Sequence, residues 1–463
     1  MKRLARLAPL AFPFLLAGCM VGPNYKRPAV SLPPAYRGAA PAAPAPSLGN
    51  EKWWQVFKDP VLDKLIHTAL SQNYDVRIAA TRVLEAQAEL GITRSSQFPS
   101  VSAGAGLLTQ KNAKTSRVFP SYETNAGRVS LTAIWDLDFW GKYRRENEAA
   151  RAQLLSTVWG RRAVMTSVVA SVASAYFQLR ALDSELAIAR STLASRQDSL
   201  RLTSVLAKHG SATALDISQA RQLVYAASES IPDIQRQITQ QENLLTTLLG
   251  QNPGSIDRGL PLVQQPEPAT IPAGLPSELI DRRPDIREAE QSLIVANADI
   301  GVLKASLFPD ISLTGTGGLE SNALNRIISG SAENWNAAIN LTQPVFQAGE
   351  LRAGVQLARA QWQQMLLTYR QTILNALEQV SSSLVAYDRD REFRRQQQQL
   401  TLAAQETNRL SMILYHNGGA SYLQVLTSET DLFAAQLNLI QAQLNERLAL
   451  VQIYQALGGG WQQ

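Results

Sequence analysis

The chain has 463 residues, of which 45% are hydrophobic and 18% are charged, and its formal net charge is +6. This composition excludes both a disordered chain and a bundle of membrane-spanning helices. The Lys and Arg residues are scattered singly along helical stretches, and no basic block alternates with aromatic residues, so we expect no nucleic-acid partner.

The N-terminus has the pattern of a bacterial secretion signal, with a basic start, an apolar stretch and small residues before Cys19. The segment Leu16–Cys19 resembles a lipobox, the site at which the signal is cleaved and the cysteine is lipidated. We therefore predict that residues 1–18 are a signal peptide and that Cys19, the only cysteine, carries lipid. The alternative is an ordinary buried cysteine. Met20 stands where inner-membrane lipoproteins usually have an aspartate, which favours the outer membrane.

The first half of the chain begins with a tether. Residues 19–54 are rich in Pro and Ala, a composition typical of an extended, lipidated tether. Apolar residues then recur every three or four positions over residues 55–97, which predicts one helix that ends before Pro99. In residues 100–139, apolar and polar residues alternate on both sides of a polar loop (residues 110–127), which predicts a β-hairpin.

The next helix is predicted to be longer than a globular domain can hold. From Gly141 to about Leu206 the sequence has no proline, which predicts ~65 residues of helix and a length of about 100 Å. Residues 208–212 then predict a tip turn, and a second helix returns to Leu249. Residues 251–284 are a Pro-rich connector.

The same plan then recurs. Residues 285–307 predict a helix, residues 310–346 a second β-hairpin, and residues 416–420 a second tip turn between another very long helix and its returning helix. The stretch "AELGITRSSQFPS" matches "ADIGVLKASLFPD" 210 positions later, and nine of the 26 aligned positions around it are identical. The sequence therefore predicts an internal duplication, with a first repeat over residues 55–250 and a second over residues 285–463.

The four predicted strands have the length, about ten residues, that a tilted strand needs to cross a bilayer. Val129 and Leu131 share an apolar face, as do Trp335 and Ile339, and such faces suit lipid as well as the core of a soluble β-sandwich. Four strands cannot close a barrel, and open edges in lipid would cost several kcal/mol per unpaired group. Three chains would supply twelve strands, whereas two would supply eight and leave only a narrow channel.

The long helices favour the membrane interpretation, because helices of about 100 Å need lateral neighbours. In the last helix, Leu426, Phe433 and Ile440 recur at seven-residue spacing and predict a coiled-coil seam. We therefore predict an α+β membrane protein in which a trimeric, 12-stranded outer-membrane β-barrel, with four strands per chain, is continued by an α-helical coiled-coil barrel.

Several motifs occur in a specific order along the chain, namely "WWQVFKDPVLDKLIHTAL", "WDLDFWGKYR", "LFPDISLTG", "LTQPVFQAGELRA" and a terminal "ALGGGW". With them, residues 16–461 resemble an outer-membrane factor of the TolC family, in the lipoprotein branch typified by OprM and NodT-type proteins. The resemblance implies a homotrimeric channel without a cofactor, lipid-anchored in the outer membrane and extending into the periplasm. It also implies a periplasmic adaptor (a membrane fusion protein) and an inner-membrane efflux pump as partners.

The resemblance further implies two kinds of site. Both tip turns would contact the adaptor, through Lys208, His209, Gly210, Ser211, His416, Asn417, Gly418 and Gly419. We expect positive φ at the three glycines, because glycine adopts it without steric cost.

The periplasmic constriction would be formed by Leu423, Thr427 and Thr430, whose spacing puts them on one helix face. Relatives have an aspartate and an arginine where this chain has two threonines, so we expect an apolar ring without an ionic lock. The alternative is that these residues only pack the coiled coil. Asp216 and Gln219 on the first-repeat helix are the next candidates.

Catalysis finds no support in the sequence. The three histidines lie far apart, and no hydrolase, metalloprotease or phosphate-loop motif occurs. The leading prediction is a passive exit channel for small molecules in a tripartite efflux system. A structural coiled-coil periplasmic lipoprotein and an exit channel for secreted proteins stay open as alternatives, although strands of barrel length argue against the first.

Overall fold

The computed structural model describes residues 20–37, 47–111, 123–265, 271–323 and 326–461. Cys19 and the predicted signal peptide lie outside these residues. The chain divides into two compact units, each assembled from three stretches. The sheet unit comprises the described parts of residues 1–29, 82–157 and 288–370, and the helical unit those of residues 30–81, 158–287 and 371–463.

The first half of the chain contains helices α1 (Trp53–Phe57), α2 (Pro60–Gln72), α3 (Tyr74–Ser95), α4 (Lys142–Lys208) and α5 (Ala214–Leu248), with strands β1 (Ser100–Lys111) and β2 (Glu123–Leu137). The second half contains helices α6 (Pro276–Arg282), α7 (Pro284–Ala305), α8 (Glu350–His416) and α9 (Tyr422–Ala456), with strands β3 (Asp310–Ser321) and β4 (Glu333–Thr342). Short 3₁₀ turns occur at Leu48–Asn50, Leu262–Gln264 and Gly330–Ala332.

The prediction of one helix over residues 55–97 was wrong, because the chain forms three helices there. The first break is at Lys58, whose φ is +52°. A side-chain oxygen of Asp59 then accepts hydrogen bonds from the first N–H groups of α2 at 2.9 and 3.3 Å, and Asn73 does the same for α3 at 2.8 and 3.2 Å. Both are N-caps, which start a new helix. The apolar spacing continues across both breaks, so it did not reveal them.

The strands and the connector also differ from the prediction at their ends. β1 and β2 pair as far as Lys111↔Glu123, which lies within the predicted loop over residues 110–127. Polar residues can extend a strand because the ladder is made by backbone groups. β4 ends at Thr342, before the predicted hairpin end at residue 346. The predicted connector contains a short helix, α6.

The four strands form one antiparallel sheet in the order β1-β2-β3-β4, and directly opposed residues share a face. One face is apolar, as predicted, and carries the pairs Val129↔Leu319, Trp135↔Leu313, Leu313↔Ile339 and Ile311↔Leu341. The other face is mainly polar. On it, the hydroxyl oxygens of Thr132 and Thr316 lie 3.4 Å apart across β2 and β3.

Residues 20–27 of the predicted tether are held against helices of the sheet unit. The side chain of Arg145 on α4 is 1% exposed and donates hydrogen bonds to two carbonyls and one side chain of this segment, at 2.9–3.4 Å. Arg27 donates two hydrogen bonds to Glu290 of α7, at 2.6 and 2.7 Å. Bidentate charge-assisted pairs of this kind fix orientation as well as distance. Specific hydrogen bonds therefore fix this part of the tether against α4 and α7.

The core of the helical unit lies around the middle of α4, where Tyr176 and Phe177 are buried. The ring of Phe57 lies 5.9 Å from the rings of both Phe177 and Tyr454, centroid to centroid. Asp59, which caps α2, also accepts a hydrogen bond from the hydroxyl of Tyr176 at 2.9 Å. These contacts hold α1, α2 and the end of α9 against α4.

The longer helices correspond in length between the two halves. α3 and α7 have 22 residues each and begin 210 positions apart, whereas α4 and α8 have 67 residues each and begin 208 positions apart. A helix of 67 residues is about 100 Å long, as predicted. In the part of the chain that the structure describes, no helix is both long and apolar enough to cross a membrane.

Candidate functional site

The first tip follows α4 and turns at Gly210, whose φ is +78°. The N–H of Ser211 donates to the carbonyl of Leu206 at 2.9 Å, and the N–H of Gly210 donates to the carbonyl of Ala207 at 3.1 Å. This pair of bonds is the Schellman motif, which satisfies the last carbonyls of a helix and needs a left-handed residue. The glycine turn predicted at residues 208–212 is therefore confirmed.

The second tip follows α8 and has the same motif. Gly418 has a φ of +74°, and the N–H of Gly419 donates to the carbonyl of Leu414 at 2.8 Å. The prediction of positive φ was wrong for Gly419. Gly419 follows the left-handed residue and only supplies the N–H donor, a role that needs no left-handed backbone.

Beneath the turns, the ends of four helices share one apolar cluster in the helical unit. Tyr415 of α8 and Tyr422 of α9 are buried, with ring centroids 5.5 Å apart, and Ala220 of α5 packs with them. Leu206 of α4 is partly buried against the same cluster. The two tips are thus held together from below by aromatic packing.

The turns themselves are open to solvent. Every residue that we predicted to contact an adaptor is exposed, namely Lys208, His209, Gly210, Ser211, His416, Asn417, Gly418 and Gly419. The tips therefore present backbone and small polar groups on a buried aromatic base. Such a surface suits a protein partner, and no described residue covers it.

The predicted constriction residues Leu423, Thr427 and Thr430 are all exposed and lie on one face of α9. The hydroxyl of Thr427 donates to the carbonyl of Leu423 at 2.9 Å, so it is bonded to its own helix. The exposed stripe continues along α9 through Ala434, Asn438 and Gln441. Asp431, at the edge of the stripe, is the nearest exposed charged residue of α9 to Thr430. The structure thus offers an accessible stripe without a charged pair at the two threonines.

Asp216, the next candidate, has a local role. It forms a capping box with Thr213, in which its carboxylate accepts from the Thr213 N–H at 2.7 Å and its own N–H donates to the Thr213 hydroxyl at 3.2 Å. A capping box starts a helix, here α5. Gln219 is half-buried on α5. The helix start therefore accounts for Asp216 without a role in a channel.

A buried carboxylate on the hidden face of α9 was not predicted. Glu429 is 6% exposed, and one of its oxygens accepts a hydrogen bond from the hydroxyl of Ser199 on α4 at 2.6 Å. Its other oxygen, Oε2, is buried and finds no hydrogen-bond partner within the described ranges. Burial raises the pKa of Glu429, although the Ser199 hydrogen bond and the charge of Arg196 oppose the shift. Its sequence neighbours, Ser428 and Thr430, are small polar residues and gave no signal of this burial.

The coiled-coil seam predicted on α9 is confirmed. Ile440 is buried, and Leu426 and Phe433 are partly buried. Phe433 packs against a cluster whose buried residues are Leu182, Ala189 and Ile234, from α4 and α5. The seam therefore joins helices of the two halves.

The sheet offers a second functional surface. The apolar face exposes large side chains, with Leu131 59%, Trp335 83% and Ile339 76% exposed. A continuous apolar surface of this kind marks a protein or membrane contact. Within the described ranges, no three His, Cys, Asp or Glu residues are grouped so that they could hold a metal ion.

The family model described as "Outer membrane efflux protein" matches residues 65–251 and, a second time, residues 275–459. Together the two matches cover more than half of the chain. The chain belongs to the outer membrane efflux protein family. Each match contains a long helix, a tip turn and a returning helix, so the residues discussed above lie within the matched regions.

Similar proteins support the same assignment along the whole chain. The chain is 36% identical over 469 residues to the probable efflux pump outer membrane protein TtgC of Pseudomonas putida, covering 99% of this chain and 96% of that protein. It is 33% identical over 463 residues to the cation efflux system protein CusC of Escherichia coli, covering 99% of each. The solved outer-membrane channel OprN matches with a TM-score of 0.89 at 30% identity, covering 96% of this chain and 100% of that chain. The chain is an outer-membrane channel component of a tripartite efflux system, as predicted.

Proposed function

We propose that three copies of this chain form a lipid-anchored channel through which small molecules leave the cell passively. The observation that carries the proposal is the sheet, which has four strands, an exposed apolar face and two outer strands, β1 and β4. In lipid, each unpaired backbone group at a strand edge costs several kcal/mol. Neighbouring copies must therefore pair with these edges.

Three copies supply twelve strands. Barrel diameter grows with strand number, and the eight strands of two copies would enclose a space that side chains fill. In the closed barrel, the apolar face with Leu131 and Ile339 contacts lipid, and the polar face with Thr132 and Thr316 lines the lumen. The helix pairs of three copies, joined along seams such as that of Phe433, form a coiled-coil barrel.

We further propose that the two tips dock to a periplasmic adaptor that links the channel to an inner-membrane pump. The support is the exposure of both turns above a buried aromatic base. Lys208 and His416 would contribute polar contacts, and the glycine turns allow close approach of the adaptor backbone. Because the pump supplies the energy, the channel itself needs no catalytic group.

A lipid on Cys19 would anchor each copy in the outer membrane. Cys19 directly precedes the segment that Arg145 and Arg27 hold against the sheet unit. That contact would keep the anchor close to the sheet. Loss of the lipid should therefore slow membrane assembly more than it affects the folded chain.

The related proteins differ in the kind of efflux system for which they are named. TtgC is named as a probable efflux pump outer membrane protein and CusC as a cation efflux system protein, and the chain is 36% and 33% identical to them. The exposed stripe of α9 carries threonines, an alanine and amides, a lining that tolerates many solutes. We infer that selection occurs at the pump.

The proposal is tested by reconstitution in a host that lacks its own outer-membrane efflux channel. A periplasmic adaptor and an inner-membrane efflux pump are expressed with and without this chain, and export of the dye ethidium is followed by fluorescence. Export should require all three proteins. Equal export without this chain would contradict the proposal, and a protein released into the medium only in its presence would favour the secretion alternative.

A further inference from the structure

Helix α9 buries two carboxylates, Glu429 and Glu446, whose surroundings differ. Glu446 is 2% exposed and forms an ion pair with Arg394 of α8. Glu429 is 6% exposed, but the hydrogen bond that it accepts comes from a neutral group, the hydroxyl of Ser199 on α4. Its second oxygen, Oε2, has no hydrogen-bond partner in the described part of the chain. Buried charges in proteins are normally paired, so only Glu446 has the surroundings of a stable buried charge.

The cation that acts on Glu429 is Arg196 of α4, which is held by other groups. Its Nη1 donates a hydrogen bond to the carbonyl of Leu223 on α5 at 3.0 Å, and its guanidinium carbon lies 5.2 Å from the centre of the Phe433 ring. The charge of Arg196 and the Ser199 hydrogen bond lower the pKa of Glu429 less than burial raises it. Glu429 therefore holds its proton more tightly in this packed arrangement than it would in water.

The other polar groups around Glu429 do not balance a negative charge. Tyr422 of α9 interacts with Glu429, and Tyr415 of α8 and Asp216 of α5 interact in turn with Tyr422. Burial raises the pKa of Tyr422, so its phenol is neutral near neutral pH. Among these groups and Arg196, only Arg196 is positive. An ionised Glu429 would thus lack an adjacent counter-ion.

The contact between Glu429 and Ser199 joins the two halves of the chain near the tips. One turn before Glu429, Val425 belongs to the apolar cluster beneath the tip turns, and one turn after it, Phe433 packs against the next apolar cluster. A single buried carboxyl therefore interrupts an otherwise apolar seam between α9 and α4.

The repeat does not require this contact. The counterparts of Ser199 and Glu429 at a spacing of 208 are Thr407 on α8 and Arg221 on α5, and both are exposed. The buried carboxyl is thus specific to the joint between α4 and α9. That joint includes the helix whose other face carries the exposed stripe with Leu423.

The hidden and exposed faces of α9 are close together at this point. Thr430 directly follows Glu429 in the sequence, and Thr427 lies two residues before it, yet both threonines are exposed. Helices shift by 1–2 Å as units in many switching proteins. A shift of this end of α9 relative to α4 would therefore also move the exposed stripe.

We infer that the proton on Glu429 controls how tightly this end of α9 is held against α4, and thereby the width of the channel at the exposed stripe. The protonated carboxyl fits its buried position, since it is neutral and can donate as well as accept a hydrogen bond. The ionised carboxylate favours a loosened arrangement in which water reaches it. The stripe matters here only if it lines the channel, so this inference rests on the proposed function.

Linkage gives the direction and the size of the effect. The packed arrangement binds the proton more tightly, so it is favoured at low pH and loses stability as pH rises through the raised pKa of Glu429. For each unit by which burial raises this pKa, ionisation shifts the equilibrium tenfold toward the loosened arrangement. The proton cannot shift the equilibrium further than this difference in affinity.

Single-channel recording of trimers in planar bilayers between pH 4 and pH 8 tests the inference. The fraction of time that wild-type trimers are open should rise with pH. Glu429→Gln cannot ionise, so its open fraction should stay low at every pH and be several times below the wild type at pH 8. Glu406→Gln, which changes an exposed carboxylate of α8, is the matched control and should follow the wild type.

Two further variants should move the midpoint of this transition. Ser199→Ala removes the hydrogen bond that lowers the pKa of Glu429, and Arg196→Gln removes the charge that lowers it. Each should therefore move the midpoint to higher pH. A contact that is only structural would not shift the midpoint in this direction.

Hydrogen exchange separates this inference from the proposed function. At pH 8, the amides of residues 423–430 should exchange several times faster in the wild type than in Glu429→Gln, and at pH 4 the two should match. If exchange responds in this way but conductance does not, the proton controls the contact, and the proposed constriction at the stripe is wrong.

Trimers that conduct, with the same exchange and the same pH profile in the wild type and Glu429→Gln, would overturn the inference and leave the proposed function standing. Wild-type trimers that never conduct would contradict the proposed function, and the exchange comparison would still test the contact. Should Glu429→Gln fail to assemble, an open fraction of the wild type that is constant between pH 4 and pH 8, or an unmoved midpoint in Ser199→Ala, would overturn the inference.

Discussion

Helices α3 and α7 have the same length and related sequences but different surroundings. Ala298 and Gly301 of α7 are buried, whereas their counterparts Ala88 and Gly91 on α3 are exposed. A Cβ atom on Gly301 would lie 2.8 Å from the side chain of Arg145, and a Cβ atom on Gly91 would have no neighbour within 4 Å. The same residue types thus form the same helix with and without a partner.

One chain alone makes only part of the contacts that its repeated helices can form. α7 finds α4 within the chain, and α3, its twin, finds no equivalent cover among the described residues. Helix formation is local, since it depends on capping and apolar spacing, but burial depends on a neighbour. An exposed twin of a buried helix is therefore a sign of a missing copy.

The largest expected effect concerns the two faces of the sheet. Ile339→Arg places a charge on the apolar face and should cost about 2–4 kcal/mol at the centre of a bilayer. Asn340→Arg, on the polar face, is the matched control and should be mild. The measurement is the amount of trimer in the outer-membrane fraction. Similar losses in both variants would remove the basis for a lipid-facing side.

Substitution of the equivalent glycines, Gly301 on α7 and Gly91 on α3, should have different effects. Gly301→Leu forces a side chain against Arg145 and should cost about 1–3 kcal/mol through overpacking. Gly91→Leu should leave the thermal unfolding of the single chain unchanged, because its site is open. It should nevertheless reduce trimer formation, since a neighbouring copy would cover α3. Wild-type trimer yields in Gly91→Leu would contradict that interface.

The returning helices α5 and α9 also differ at equivalent positions, and this difference makes stability depend on pH. Glu429 of α9 is buried, and its α5 counterpart, Arg221, is exposed. Because the folded-state pKa of Glu429 is raised, the protonated form is favoured in the folded state, and stability falls as pH rises through that pKa. Glu429→Gln should remove this loss, by about 1.4 kcal/mol for each unit of the shift.

Unfolding by urea at pH 4 and pH 8 measures this effect. At each pH, the free energy of unfolding of Glu429→Gln is compared with that of the wild type. The difference in favour of the variant should be larger at pH 8 than at pH 4. Glu406→Gln is the control, because Glu406 is exposed and Arg409 lowers its pKa through hydrogen bonds. If Glu429→Gln shows no pH-dependent gain, the carboxylate ionises as easily in the folded state as in the unfolded chain, and its burial does not raise its pKa.

The smallest expected effect on stability concerns the exposed stripe of α9. If Thr427 approaches its equivalents at a three-fold axis, Thr427→Cys should form disulfides, which need Cα separations below about 7 Å. A ring of three cysteines can pair only two, so a dimer and a monomer band should appear on denaturing gels. Glu229→Cys, exposed on α5, should give monomer alone. Cross-linking at Glu229 but not at Thr427 would assign the narrow end to the other returning helix.

The sequence predicted the long helices, both tip turns and the two faces of the sheet. It did so because proline-free helical spacing, Gly210 and Gly418, and apolar alternation are all local signals. The breaks before α2 and α3 were missed, since Asp59 and Asn73 sit inside continuous apolar spacing. The burial of Glu429 and Arg145 could not be predicted either, because each depends on residues more than a hundred positions away.

Conductance in planar lipid bilayers tests whether trimers of this chain form an open channel. Detergent-extracted wild-type protein is separated into trimer and monomer fractions, and each is added to the same bilayer. The trimer alone should give stepwise, ohmic conductance, with a larger step for Leu423→Ala if this residue lines the narrow end. A trimer that inserts but never conducts would contradict a channel and favour a structural periplasmic lipoprotein.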